Sequence, residues 1–111
     1  MRAFEILRPW PSTDRESEDR VIRVYRKHVA RAISEERWSA AEIFLDRILE
    51  IDPRHTEAWL MKGWLRHHCR EDDESAVSCY RKVITLCGHD LKHPHARRAQ
   101  SSLGRLLAVL G

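Results

Sequence analysis

AEIFLDRILEIDP at residues 41–53 and AVSCYRKVITLCG at residues 76–88 are two copies of one pattern. In each, a small residue (Ala41, Ala76) is followed by a bulky one (Leu45, Tyr80), a branched aliphatic (Ile48, Val83) and a helix breaker (Pro53, Gly88). Every position is displaced by the same distance, 76 − 41 = 35 residues. Steps of three and four place the apolar residues on one face of a helix. Recurrence at this period is the mark of stacked helical repeats, whose units bury their apolar faces only against one another. Such a stack turns the question from which reaction is catalysed to which partner is held.

Working outward, Thr13-Asp14-Arg15-Glu16 fits a capping box, and Val21, Tyr25, Val29 and Ala32 continue at helical spacing, with Ile22 and Ile33 beside them. The first helix is predicted over 14–35 and the second over 38–51, where Asp52-Pro53 stops it. A third is predicted over 55–69, with Ala58, Trp59, Lys62, Gly63 and Leu65 inward. The run Arg70-Glu71-Asp72-Asp73 reads as a turn with an acidic helix start, and the fourth helix follows over 73–87, capped by Gly88. Pro94 opens a fifth helix to 110, with Ala96, Ala99, Leu103, Leu106, Leu107 and Leu110 on one face and Arg97, Arg98, Ser101 and Arg105 on the other. No strand-like alternation competes. The expectation is an all-α domain of five antiparallel helices over 13–111, preceded by an arm over 1–12. Pro9-Trp10-Pro11 keeps that arm extended, and Phe4, Ile6, Leu7 and Trp10 make it too apolar for a solvated tail.

Composition narrows the class. The 111 residues suffice for one domain, and 42% hydrophobic with 33% charged residues suits a folded chain. No apolar run reaches the roughly 18–20 residues of a membrane span, and the N-terminus lacks the apolar core of a signal peptide. Three cysteines, Cys69, Cys79 and Cys87, are odd in number and fall in or near helices, which reads as reduced thiols and a cytoplasmic setting. The formal charge of +3 is spread among acidic residues and points only weakly to acidic partners.

Placed in register, these residues resemble the tetratricopeptide repeat family, whose unit is a 34-residue helical hairpin. Ala41, Leu45, Ile48 and Pro53 fall on its small, aromatic, small and proline positions, and Trp38 on the aromatic of the helix–helix turn. Trp59 and Gly63 fall on its tryptophan and glycine, Ala76, Tyr80 and Val83 repeat the second-helix pattern, and Leu103-Gly104 matches its Leu-Gly pair. The departures are Tyr25 and Val29 in place of Trp and Gly, Lys62 in place of Leu, Gly88 in place of Pro, an extra residue assigned to the Arg70–Glu74 turn, and about six extra residues around His89 to His93. The resemblance implies a right-handed hairpin stack with repeats at about 22–55 and 56–90 and a capping helix at about 94–110. It implies a non-catalytic interaction module that holds a peptide or protein segment in a concave groove. The groove would be lined by Arg26, Lys27, Ala30 and Ile33, by Leu60, Met61, Trp64 and His68, and by Arg98, Ser102 and Arg105.

That is an apolar strip between two basic rims, suited to an acidic, amphipathic ligand. The family subset that clamps a C-terminal carboxylate uses two Asn positions, here Ala30 and Met61, so that ligand is not expected. Trp64 is either a groove anchor or a residue packed on an adjacent helix, and Phe4, Leu7 and Trp10 of the arm are candidate internal occupants of the groove.

Three other readings stand beside this one. Cys87, His89, His93 and His95 are zinc-compatible residue types, but their spacing matches no common zinc template and the bland reading is a polar loop. Arg97-Arg98 with Arg105 could touch phosphate, as part of a nucleic-acid or metal-linked accessory role for the basic, His-rich C-terminal third, although a solvated helix face explains them too. A short stack also leaves apolar surface on which a second copy could dock as a homodimer. No nucleophile–base–orienter set can be assembled, so neither an enzyme nor a cofactor is expected.

Overall fold

The computed structural model describes residues 15–110, and the arm at 1–12 lies outside them, as do Thr13 and Asp14 of the capping box. Among the described residues there are five helices and no strand. They are α1 (Arg15–Ser34), α2 (Trp38–Ile51), α3 (Thr56–Trp64, continued by a π-helical turn at Leu65–Cys69), α4 (Asp73–Leu86) and α5 (Pro94–Leu110). None is long and apolar enough to cross a membrane.

Local chemistry explains the boundaries. Helix α1 carries Glu16 and Glu18 in its first turn and Arg31 in its last, matching the helix dipole. It ends with Glu36 in the left-handed region (φ 57°). Arg37 N–H there donates to Ala32 O at 2.8 Å and Glu36 N–H to Ile33 O at 3.0 Å. Gly88 (φ 66°) closes α4 in the same way, with His89 N–H on Ile84 O at 2.9 Å. Asp52 stops α2 by accepting the Arg54 N–H on its side chain at 3.0 Å. Side chains cap the next two starts: His55 Nδ1 accepts from Ala58 N–H at 3.1 Å, and Asp72 Oδ1 from Ser75 N–H at 3.2 Å.

The spacing of matched sequence positions changes at the end of α3. Tyr25 to Trp59 and Val29 to Gly63 are steps of 34, whereas Glu36 to Glu71, both at positive φ, and Ala41 to Ala76 are steps of 35. The extra residue therefore enters between Gly63 and Glu71. It is absorbed by the π turn, where Arg70 N–H bonds Leu65 O, and not by the following loop as the sequence suggested. The closing bond confirms the count: Asp72 N–H reaches back six residues to Arg66 O, where the ends of α1 and α4 reach back five.

Two core clusters share α3 as their common wall. Ile22, Val29, Ala32, Ala41, Leu45, Ile48, Ala58 and Leu65 form one. Ala76, Tyr80, Val83, Ile84, Ala99, Leu103 and Leu106 form the other, with Trp59 and Leu60 packed against it. Ala41, Ala76, Ala96 and Ala99 are wholly buried, and their small side chains let helix axes approach closely. On the side away from Leu60, a polar ladder fixes α3 to α2: Arg66 Nη2 donates to Glu42 Oε2 at 2.5 Å and Lys62 Nζ to Asp46 Oδ1 at 2.7 Å. Carboxylates four apart on α2 meet cations four apart on α3 in reversed order, so these two helices run antiparallel. Lys62 is accordingly half-buried by its partner and is not a core residue. Leu107 and Leu110, expected inward, are exposed. All three cysteines are free thiols.

Gly63 is the tightest point. A Cβ there would lie 2.8 Å from Tyr80 Cε1 and 3.2 Å from Cys79 Cβ, and Tyr80 is buried with no room to retreat. Gly63→Ala is expected to destabilise the domain by about 1–3 kcal/mol, read as a lowered urea midpoint at unchanged m-value.

Candidate functional site

The side chains that helical spacing placed on the front of α1, α3 and α5 line three adjoining hollows of about 450, 420 and 470 Å³. The first, between α1 and α3, is bounded by Arg23, Arg26, Lys27, Ala30, Glu57 and Met61 over a floor of Val29, Leu45 and Ile48. The second, between α3 and α5, is bounded by Ile33, Leu60, Met61, Trp64, Arg98 and Ser102 over Tyr80. The third continues along α5 past Trp64 and His68 to Arg97, Ser101 and Arg105. Glu57 and Met61 are common to the first two, and Trp64, Arg98 and Ser102 to the last two. The hollows are therefore one open groove, and it brings together Arg26, Lys27, Ala30, Ile33, Leu60, Met61, Trp64, His68, Arg98, Ser102 and Arg105.

Trp64 packs on neighbouring side chains and also borders the groove. Its ring meets Trp38 edge-on at 6.4 Å and His68 at 5.6 Å, while 38% of the residue remains exposed to the groove. It is held at two edges and open on its groove side, the arrangement of an apolar anchor that costs little entropy to use. Tyr80 supports the floor. Burial pushes its phenol pKa up, against a hydrogen bond from Ser102 and the charges of Arg105 and Arg98, so it faces the groove as a neutral hydroxyl.

The charge pattern differs from two equal basic rims. Arg26 is engaged by Glu57 through Nε to Oε1 at 2.6 Å and Nη2 to Oε2 at 3.0 Å, which leaves Arg23 and Lys27 as the positive groups at that end. Both partners are partly exposed, so the pair is worth about 1 kcal/mol or less and an incoming group can open it. At the other end Arg97, Arg98 and Arg105 have no carboxylate among their ion-pair partners within the described residues. Among the groove residues that the sequence reading missed are Arg23, Glu57, Tyr80, His95, Arg97 and Ser101. Glu57 lies one helical turn before Leu60 and Met61, and that spacing was the available signal.

The His-rich loop is built for capping. Cys87 is the C-cap of α4, His93 Nδ1 accepts from His95 N–H at 3.1 Å, and His95 Nδ1 shares a 2.8 Å hydrogen bond with Thr56 Oγ1. His89 sits in the left-handed region after Gly88. Among the described residues no group of three or more His, Cys, Asp or Glu gathers to hold a metal ion.

No known family model matches the chain, and no curated protein matches it.

Burial first, then His93, lowers the pKa of His95 below 6.5, against the pull of Glu57, and burial with His67 and Arg105 lowers that of His68. The folded state thus favours the neutral form of both imidazoles relative to the unfolded chain. Their contribution to stability is present above about pH 6.5 and is lost as the pH falls through the lower folded values. Urea midpoints are expected to drop from about pH 6.5 downward, and His95→Asn is expected to flatten that decline.

Proposed function

We propose that this chain is a tetratricopeptide-like stack, two hairpins and a closing helix, that serves as a non-catalytic cytoplasmic interaction module. It holds an acidic, amphipathic peptide or protein segment across α1, α3 and α5. The observation that carries the reading is the continuous groove with Trp64 open at its centre. Ile33, Leu60, Met61 and Trp64 supply apolar surface, and the flanking cations supply orientation and steering. Supporting the repeat assignment are the matched left-handed residues Glu36 and Glu71 and the matched small residues Ala41 and Ala76. The Arg26–Glu57 pair is exposed enough to open, so Arg26 can turn to an acidic group of a ligand, with Arg23 and Lys27 beside it to offset the charge of Glu57.

The test is selection of a displayed library of random dodecapeptides on the domain, followed by affinities for the enriched sequences. Enriched peptides are expected to combine acidic with bulky apolar residues. Trp64→Ala should weaken them by about 2 kcal/mol, roughly thirtyfold. Arg47→Glu, on α2 outside the groove, should leave them unchanged. Peptides that bind Trp64→Ala as well as the wild type would place recognition elsewhere.

A second reading, self-association, is favoured by Leu107, Val109 and Leu110 on the last turns of α5, which are 42%, 80% and 51% exposed. It predicts a sedimentation coefficient that rises with concentration in the wild type and stays at the monomer value in Leu107→Glu, Leu110→Glu.

A further inference from the structure

The arginine end of the groove differs from the α1 end, where Glu57 lies among the cations. Helix α5 contains three arginines and no Asp or Glu. Elsewhere on the groove-forming helices, Arg26, Lys62 and Arg66 each sit on a carboxylate, and Arg23 and Lys27 share their hollow with Glu57. Arg97, Arg98 and Arg105 face a hollow of about 470 Å³ whose lining includes no acidic side chain at all. Arg97, Ser101 and Arg105 succeed one another at steps of four, so one hydroxyl stands between two guanidinium groups on one face of the helix. Arg98 flanks this column on the side of Trp64. From α3, His68 and the ring of Trp64 close the opposite wall.

We propose that Arg97, Arg98, Arg105 and Ser101, facing Trp64 and His68, form a receptor for a phosphoryl group carried on a peptide. The groove's ligand is then a phosphorylated segment. The inference rests on the groove reading given above and adds the identity of its acidic group. A carboxylate brings one charge and two oxygens, enough for one guanidinium fork. Three unpaired guanidinium groups and a hydroxyl around one hollow are matched by a group carrying about −1.5 to −2 charge and three terminal oxygens. Trp64 and Ser102 border this hollow and the apolar one together, so residues next to the phosphorylated position run directly onto Leu60 and Met61.

A nucleic-acid strand fits less well. It presents a phosphate at every nucleotide, whereas the groove beyond Trp64 turns apolar and then presents Glu57. One concentrated anion site followed by an apolar track is the complement of a single modified side chain in a peptide.

Degenerate dodecapeptide pools with a central phosphoserine, serine or aspartate distinguish the possibilities, read by fluorescence anisotropy beside a U12 oligoribonucleotide. The phosphoserine pool is expected to bind at least about tenfold more tightly than the serine and aspartate pools. Arg98→Glu with Arg105→Glu should abolish that preference, and Arg81→Glu on α4 should preserve it. Both arginines are exposed, and unchanged thermal melts of the variants establish that they fold. As an independent readout, O-phospho-L-serine should shift the Trp64 indole and Arg105 Nε resonances saturably, and acetate should not. Equal binding of the three pools, still sensitive to Trp64→Ala, overturns the phosphoryl site and leaves the groove reading standing. Saturable shifts with O-phospho-L-serine but no binding of any pool overturns the groove reading and with it the phosphopeptide. Tighter binding of U12 than of the phosphoserine pool overturns the proposal in favour of a nucleic-acid ligand.

Discussion

The approach of α3 to α4 at Gly63 is the constraint on which the rest of the molecule depends. With no side chain at that position, the ring of Tyr80 lies where a Cβ would have to be. Tyr80 is thereby both a buried residue of the second core cluster and part of the groove floor, its hydroxyl against Ser102 of α5. Trp64, the next residue along, turns about 100° from that contact and so faces the groove. Because α3 supplies Ala58 and Leu65 to one cluster and braces the other through Trp59 and Leu60, its seating decides both cores and the central wall of the groove at once.

Opposite faces of α3 use charge differently, and the groove inherits the result. Its rear cations, Lys62 and Arg66, are matched to Asp46 and Glu42 of α2, with Asp72 adding a 3.2 Å contact to Arg66. Half-buried pairs of this kind add little net stability, because desolvation offsets attraction, but a mismatched register would strand several charges. The ladder is therefore better understood as fixing how α3 lies along α2. Its front carries a single charged group toward α1, Glu57, which takes up Arg26. With α5 lacking any acidic residue, positive potential accumulates where α3 meets α5 and is tempered where α3 meets α1.

Much of this fold was legible in the sequence. The second and fifth helices fall at 38–51 and 94–110 as predicted, and the described ends of the others lie within one residue of expectation, because proline, glycine and acidic first turns mark them plainly. The groove-facing set was legible as well, since steps of three and four determine which side chains share a face. What escaped depends on relations between helices. A glutamate in a first turn reads as a dipole partner, and its pairing with Arg26, 31 residues away, requires the lateral register of α1 and α3. Leu107 and Leu110 continue the apolar spacing of Leu103 and Leu106, but only the latter two are covered by the core around α4, and which part of the stripe is covered depends on how the two helices lie together.

The π turn escaped for a different reason. One extra residue within a helix leaves the polar and apolar spacing nearly intact, while the neighbouring Arg70–Asp73 run carries every outward sign of a loop. Its effect is nonetheless local and specific. The turn widens the helix between Leu65 and Cys69 and sets His67 and His68 ring against ring at 4.0 Å, with His67 edge-on to Tyr80 at 6.4 Å and His68 beside Trp64 at 5.6 Å. His68 is thereby delivered to the wall facing Arg105, close enough for that charge to depress its pKa. π-Helical insertions persist where the gain is a repositioned side chain, since their hydrogen bonding is poorer than that of the α-helix they interrupt. Here the residue inserted between Gly63 and Glu71 is the one that shapes the passage from apolar groove to arginine cluster.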